Sequence, residues 1–319
     1  MPSAANLASA KKQNHAADAL QHLVAQLEND PSLFHPDRLR QRLDALDLLD
    51  AHPPSIPQAA SDACTELNRR ANAINARLEA ANAQLYAGIR KDIQRKDIEF
   101  GSIPDALLQL IHPHNNDAVK RNGMGYDYGI DYDYLDELIA GILQLEEPAA
   151  VELPRDSEQV FYQPTPARHI FALIGLTALT SADVLIDLGS GLGHVPLLVS
   201  ICTHARTIGI ELEPSYVERA RQCALSLNLN RITFLQQDAR GADLSLGTVF
   251  YLYTPFTGSI LSSVLDRLRH EAATRPIRIC SYGPCTAVIA NEPWLEPATA
   301  LEAEADQMAN RIALFHSRD

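Results

Sequence analysis

The 319-residue sequence carries 40 acidic against 27 basic side chains, a formal charge of −13, with 46% hydrophobic and 21% charged residues. That is the profile of a folded globular chain of one large or two modest domains. All five lysines precede residue 121, yet residues 1–150 hold 14 basic and 22 acidic side chains and residues 151–319 hold 13 and 18, so neither half is a basic module built to neutralise phosphates, and no nucleic-acid partner is expected.

The first 150 residues read as an all-α domain. Leu20–Leu27 and Leu39–Leu49 are short amphipathic runs. A longer stripe follows, with Leu67, Ala71, Ile74, Leu78, Ala81 and Leu85 at alternating steps of four and three, continued by Ile89 and Ile93. Pro53, Pro54 and Pro57 punctuate its start, and Gly101–Pro104 ends it. The alanines on the stripe permit close helix approach, and with it a homodimer through these helices. The pair His112 and His114, with no nearby Cys or second carboxylate cluster, is a weak metal signal.

Next comes a Tyr/Asp segment, with Tyr126, Tyr128, Tyr132 and Tyr134 interleaved with Asp127, Asp131 and Asp133. It reads as a helix N-terminus capped by Asp131 or Asp133, ahead of an apolar helix Leu135–Leu145; the alternative is an acidic aromatic wall for a cation. Glu146–Glu158 is the expected linker, dividing a 1–150 helical domain from a 151–319 domain.

Beyond it strands and helices alternate. Helices are predicted at Arg168–Leu179, Val195–Ile201, Ser215–Leu227 and Ile260–Glu271. Strands are predicted at Val184–Leu188, Thr207–Ile210, Ile232–Leu235, Val249–Leu252, Ile277–Ser281 and Arg311–His316. This alternation gives a mostly parallel sheet covered on both faces, with ligands bound at the carboxyl ends of the strands. The five cysteines include no CxxC pair and read as reduced, mostly buried thiols. Residues 1–14 lack the apolar core of a signal peptide, and the longest apolar run, Ile170–Thr180, is too short to span a bilayer; the expectation is a soluble, cytoplasmic protein.

The chemistry concentrates at those strand ends. The first strand runs into Asp187-Leu188-Gly189-Ser190-Gly191-Leu192-Gly193-His194. The glycines allow a tight turn against which a flat ligand can lie. The dinucleotide fingerprint G-x-G-x-x-G would place its third glycine where His194 stands, so a nicotinamide-dependent oxidoreductase is disfavoured. Asp187 would repel a pyrophosphate but attract an ammonium. Glu211, closing the second strand, suits both hydroxyls of a ribose, because a carboxylate only accepts and both hydroxyls donate. Asp238, after the third strand, can accept from an exocyclic adenine amine. The ligand that fits all three acids is S-adenosylmethionine.

With this glycine turn and these three acids, residues 160–319 resemble a class I S-adenosylmethionine-dependent methyltransferase. Uncharacterised bacterial proteins carrying Y-Q-P-T-P and L-Y-T-P-F-T-G look most alike, and the non-SET histone lysine methyltransferases, whose glycine motif also reads D-L-G-S-G, are distantly similar. The resemblance implies a Rossmann-like, mostly parallel seven-stranded sheet. It implies cofactor contacts from Asp187, Gly189, Ser190, Gly191, Gly193, Glu211, Asp238 and Ala239, and from a Tyr162-Gln163-Pro164-Thr165-Pro166 loop closing over the cofactor tail, with Tyr162 and Thr165 as its ligands. Amino-methylating relatives carry Asn or Asp, then Pro-Pro and an aromatic, after the fourth strand; Tyr253-Thr254-Pro255-Phe256 departs from this. Tyr253 and Phe256 are therefore expected to line a channel, where aromatic faces tolerate positive charge. Tyr282 and Gly283 are expected to face the same opening. The implied activity is methyl transfer to an acceptor such as a cationic or amine-bearing small molecule or protein side chain. A cofactor-binding sensor or assembly module without turnover is the alternative.

Overall fold

The computed structural model describes residues 17–51, 62–95, 105–111, 133–148, 157–298 and 309–318. The prolines at 53, 54 and 57, Gly101–Pro104, the 112–114 histidine pair, residues 126–132 of the Tyr/Asp segment and residues 149–156 of the linker lie outside them. Contacts divide the chain into one unit of residues 1–89 with 106–117 and a second of 90–105 with 118–319. The expected boundary at residue 150 falls inside the second unit.

The first unit is helical. Helices α1 (residues 17–28), α2 (Leu39–Asp50) and the long α3 (Asp62–Arg95) bury Leu20, Val24, Ala45, Leu49, Ile74 and Leu78 together. Ile74, Leu78, Ile89 and Ile93 of the sequence stripe are all buried, as its period requires. A buried Arg42 replaces an apolar residue at the α2 contact. Its Nε donates to Asn82 Oδ1 at 2.6 Å and its Nη1 to the carbonyls of Leu33 and His35 at 2.7 and 2.6 Å, which compensates its desolvation. The short helix α4 (Asp105–Ile111) buries Leu107 and Leu110.

The second unit holds a Rossmann-like, seven-stranded sheet in the order β3-β2-β1-β4-β5-β7-β6. The strands are β1 (Val184–Leu188), β2 (Arg206–Glu211), β3 (Ile232–Gln236), β4 (Val249–Tyr253), β5 (Arg278–Tyr282), β6 (Leu295–Pro297) and β7 (Ala313–Ser317). Strands β1 to β5 are parallel, and β7 runs antiparallel to both β5 and β6. All six strands expected from the sequence stand within two residues of their place, the last starting at Ala313 rather than Arg311. The three-residue β6 and the five-residue helix α10 (Cys285–Ile289) were not legible, because neither is long enough to show a period.

Helices α6 (Ala167–Thr177), α7 (His194–Cys202), α8 (Pro214–Ser226) and α9 (Gly258–Ala272) connect and flank the strands. Every residue of β1 is buried, as a parallel strand covered on both faces demands. Alternate residues serve the two sides: Val184, Ile186 and Leu188 join Ile260, Val264, Leu265 and Leu268 of α9 in one core. Asp187, one residue out of that phase, lies beside Gly209 of β2 and Tyr251 of β4.

Helix α5 (Tyr134–Leu143) begins with Asp133 as N-cap, as the capping reading of that segment expects. Asp133 Oδ1 accepts from the Leu135 amide, and Asp136 returns an acceptor to the Asp133 amide, a capping box. The same two acids reach α6: Asp136 accepts from the Ala167 amide at 2.8 Å, and Asp133 pairs with Arg168 at 2.6 Å. Burial raises the Asp136 carboxyl above its ordinary value. No helix among the described residues is long and apolar enough to cross a membrane.

Candidate functional site

In a sheet of this order the strand order reverses between β1 and β4, and the crevice beyond their carboxyl ends is open for a ligand. A cavity of about 520 Å³ lies there, bordered by the ends of β1, β2, β3 and β4 and by residues 159–165. All of the expected cofactor and channel residues except Gly193 line it, while Tyr282 and Gly283, expected at the same opening, do not.

The turn after β1 forms its floor. Gly189, Gly191 and Gly193 adopt φ of 82°, 52° and 84°, a region costly for any residue with a Cβ. The amides of Gly189 and Ser190 donate to the Ile210 carbonyl at 2.9 and 3.0 Å, which ties the turn to the end of β2. A Cβ on Gly189 would overlap Pro255, and one on Gly191 would overlap the Tyr162 ring. Gly193 serves differently. It is the N-cap of α7, and a Cβ there would strike Phe234 and Ala220 away from the cavity. Its role is helix–strand packing, not ligand contact.

Three acids meet at the cavity in unequal states. Asp187 is 3% exposed, and no donor among the described residues bonds it. Burial, reinforced by the nearby Glu211 carboxylate, pushes its carboxyl well above the usual range. Glu211 is anchored: its Oε2 accepts from the Gly191 amide at 2.8 Å, and its Oε1 from the Leu212 and Glu213 amides at 2.7 and 2.9 Å. One carboxylate offers about four acceptor positions, so capacity remains for a ligand hydroxyl. Asp238 caps the turn of Ala239–Gly241 and pairs bidentately with Arg240, an ion pair that holds its carboxyl below the ordinary value. Ser190 contributes a buried hydroxyl with no hydrogen-bond partner among the described residues.

The opposite rim comes from two loops. Tyr162 stands over Gly191 with its hydroxyl 3.2 Å from His194 Nδ1 and its ring 5.0 Å from that of Tyr216. The Thr165 hydroxyl shares a buried 2.9 Å hydrogen bond with Tyr251 Oη. Pro166 caps α6 with an extended backbone, one place earlier than the first helical turn. Residues 158–160 run along the loop after β4, where the Val160 amide donates to the Pro255 carbonyl at 3.2 Å.

That second loop holds Tyr253, Thr254, Pro255 and Phe256. Thr254 takes φ of 38°, a rare conformation for a β-branched side chain. The strain is held by its hydroxyl, which donates to the Tyr282 carbonyl at 3.2 Å and accepts from the Cys285 amide at 3.1 Å. Phe256 borders the cavity while belonging to the main core, 6% exposed. Tyr282 corrects an expectation. It is buried in a stack of His169, Tyr282 and Tyr253, with centroids 4.4 and 4.6 Å apart, and neither it nor Gly283 borders the cavity. Tyr282 pairs in register with Tyr253 and shares its face of the sheet, but the His169 ring of α6 covers it.

Several lining residues had no clear signal in the sequence: Tyr216, Tyr251, Glu213 and Pro284. Tyr216 and Glu213 sit at the start of α8, immediately after the second acid, and that adjacency is the signal that could have found them. Tyr251 hides inside an apolar strand. Cys202, Cys223, Cys280 and Cys285 are buried and in no disulfide among the described residues, and burial lifts the Cys280 thiol to about 12 and Cys223 to about 11, which disfavours the reactive thiolate at those two. No cluster among the described residues has metal-ligand composition.

No protein-family model and no curated protein matches the chain. Solved structures do. An RNA methyltransferase from Salinibacter ruber in complex with S-adenosyl-L-homocysteine aligns at 25% identity over 49% of this chain and 92% of its own, with a TM-score of 0.38. A precorrin 8w decarboxylase from Methanobacterium thermoautotrophicum aligns at 17% identity over 50% and 93%, TM-score 0.37. A precorrin-6y C5,15-methyltransferase from Geobacter metallireducens aligns at 16% over 48% and 89%, TM-score 0.37.

Proposed function

We propose that the chain binds S-adenosylmethionine in this cavity and transfers its methyl group to a cationic or amine-bearing acceptor. The observation that carries the reading is Asp187: a buried carboxylate bordering the cavity, bonded by no donor among the described residues and set against a second carboxylate. A charge so placed is costly unless a cation completes it. The ammonium of the methionine moiety is such a cation, and the unpartnered Ser190 hydroxyl offers a further polar contact beside it.

The other residues fit the remaining parts. Glu211 keeps acceptor capacity for one ribose hydroxyl. Asp238 and Ala239 border the place for the base, with Asp238 accepting from its amine while Arg240 holds the carboxylate in place. Tyr162 and Thr165 close the methionine end, and the missing side chains of Gly189 and Gly191 let Pro255 and the Tyr162 ring close against the turn. When bound, the cofactor supplies an electrophilic methyl group on a sulfonium. The protein's contribution is to orient that group and to exclude water, which in favourable cases is worth about 7–11 kcal/mol.

The acceptor class rests on charge. With Asp187, Glu211 and Asp238 engaged by the cofactor, Glu213 is the acid left in the lining, which holds no Lys or Arg among the described residues. A lining without cations favours a neutral or positively charged acceptor over a polyanion, so no nucleic-acid substrate is proposed. Tyr253 and Phe256 supply aromatic surface for a cationic group. Buried free thiols accord with a reducing, cytoplasmic setting.

Two measurements test this. Calorimetric titration with S-adenosylhomocysteine and with NAD decides the cofactor, and binding of NAD alone would overturn the reading. Incubation with S-adenosylmethionine tritiated at the methyl group and a cell extract decides turnover. Binding without any labelled product would favour the alternative, a sensor or assembly module, for which Tyr253 and the strained Thr254 in place of an acid or amide are the specific support.

A further inference from the structure

His194 is not among the residues assigned above to the cofactor, yet it borders the same cavity as the first residue of α7. Its Nδ1 lies 3.2 Å from the Tyr162 hydroxyl. Two surfaces also meet the Tyr162 ring: the Gly191 backbone beneath it and the Tyr216 ring beside it at 5.0 Å and 55°. Tyr216 is itself anchored, its hydroxyl donating to Glu147 at 3.0 Å. The imidazole adds a directional contact to this packing. Ring packing alone leaves an aromatic side chain free to slide along a flat surface, whereas a hydrogen bond at its tip fixes both its tilt and its reach.

We propose that His194 is a positioning residue for cofactor binding: its Nδ1 accepts the Tyr162 hydroxyl proton and so holds the 159–166 loop down on the glycine turn. The inference rests on the proposed cofactor site, because Gly191 lies at the junction. Its amide is held by Glu211 on one side and its Cα face is covered by Tyr162 on the other. Two binding elements thus converge on one glycine, and the imidazole sets the position of the second. Burial lowers this imidazole to about 4 and so keeps it neutral across the physiological range, and the tautomer with its proton on Nε2 presents the Nδ1 lone pair to the Tyr162 hydroxyl. A phenylalanine at 162 and an apolar residue at 194 would fill the same space without desolvating two polar groups, so simple packing does not require this pair.

The test is a double-mutant cycle read as the dissociation constant of S-adenosylhomocysteine, with melting temperature followed in parallel. Tyr162→Phe and His194→Leu should each weaken binding roughly three- to tenfold, the scale of one neutral hydrogen bond. The double variant should bind no worse than the weaker single variant, because one interaction has been removed twice. His194→Asn, whose side-chain oxygen falls near the place of Nδ1, should return affinity to within about twofold of the parent. A packing role would instead give additive losses that follow the melting temperature and no rescue by Asn; that pattern overturns the inference while leaving the cofactor site intact. If His194→Leu does not fold, Tyr162→Phe and His194→Asn still decide: normal affinity in Tyr162→Phe refutes the bond. Failure of the parent protein to bind S-adenosylhomocysteine overturns both this inference and the reading beneath it.

Discussion

Replacing Asp187 by Asn keeps the shape of the side chain and removes its charge. In the ligand-free protein that charge is a liability: Asp187 is 3% exposed in the middle of the sheet, lacks a bonded donor among the described residues, and is raised by burial and by Glu211. A carboxyl whose folded value is raised has no effect on stability below about pH 4, where folded and unfolded forms are both protonated. As pH rises past that point the unfolded carboxyl ionises first, so the folded state loses stability until its own carboxyl ionises too. Asp187→Asn should therefore be more stable than the parent at pH 8, with the gap closing toward pH 4. Affinity should move the opposite way. A charge-assisted hydrogen bond contributes about 1.5–3 kcal/mol, so S-adenosylhomocysteine should bind roughly 10- to 150-fold more weakly. Urea midpoints against pH and calorimetric titration measure the two halves. Parental affinity in the variant, or a parent more stable than the variant at pH 8, would refute the argument that this carboxylate awaits a cation.

Glu211→Ala should lower both stability, by about 1–3 kcal/mol, and affinity, because the carboxylate that accepts a ligand hydroxyl also accepts three backbone amides; unchanged urea midpoints would contradict that double duty. Gly191→Ala places a side chain at φ of 52° against the Tyr162 ring, costing about 1–2 kcal/mol in backbone strain and most of the cofactor affinity. Gly175→Ala, in the open surface of α6, serves as the control and should leave binding unchanged. His169 is buried between α6 and Tyr282, and burial lowers it to about 4. A lowered histidine disfavours folding wherever the unfolded ring is protonated and the folded one is not, so stability should fall as pH drops from about 6.5 toward 4, by up to ~1.4 kcal/mol per pH unit. His169→Gln should flatten that part of the urea-midpoint profile, and an unchanged slope would assign it to other groups.

The longer strands and helices and the positions of the acids were legible in the sequence, since these depend on local patterns. Short continuous apolar runs, the glycine turn after Leu188 and the carboxylates closing successive strands are all written within a few residues of one another. Helix α5 was equally legible, because a capping box is a four-residue pattern. The tertiary structure decided which polar groups are already spent. Asp187, Glu211 and Asp238 look equivalent as letters, yet one lies bare, one is bound to amides and one is paired with Arg240. Likewise Tyr253 reaches the cavity while Tyr282, its register partner on the next strand, is sealed beneath α6. Desolvation and pairing depend on neighbours distant along the chain, and so the charge state of the site, unlike its composition, emerges only when the strands are brought side by side.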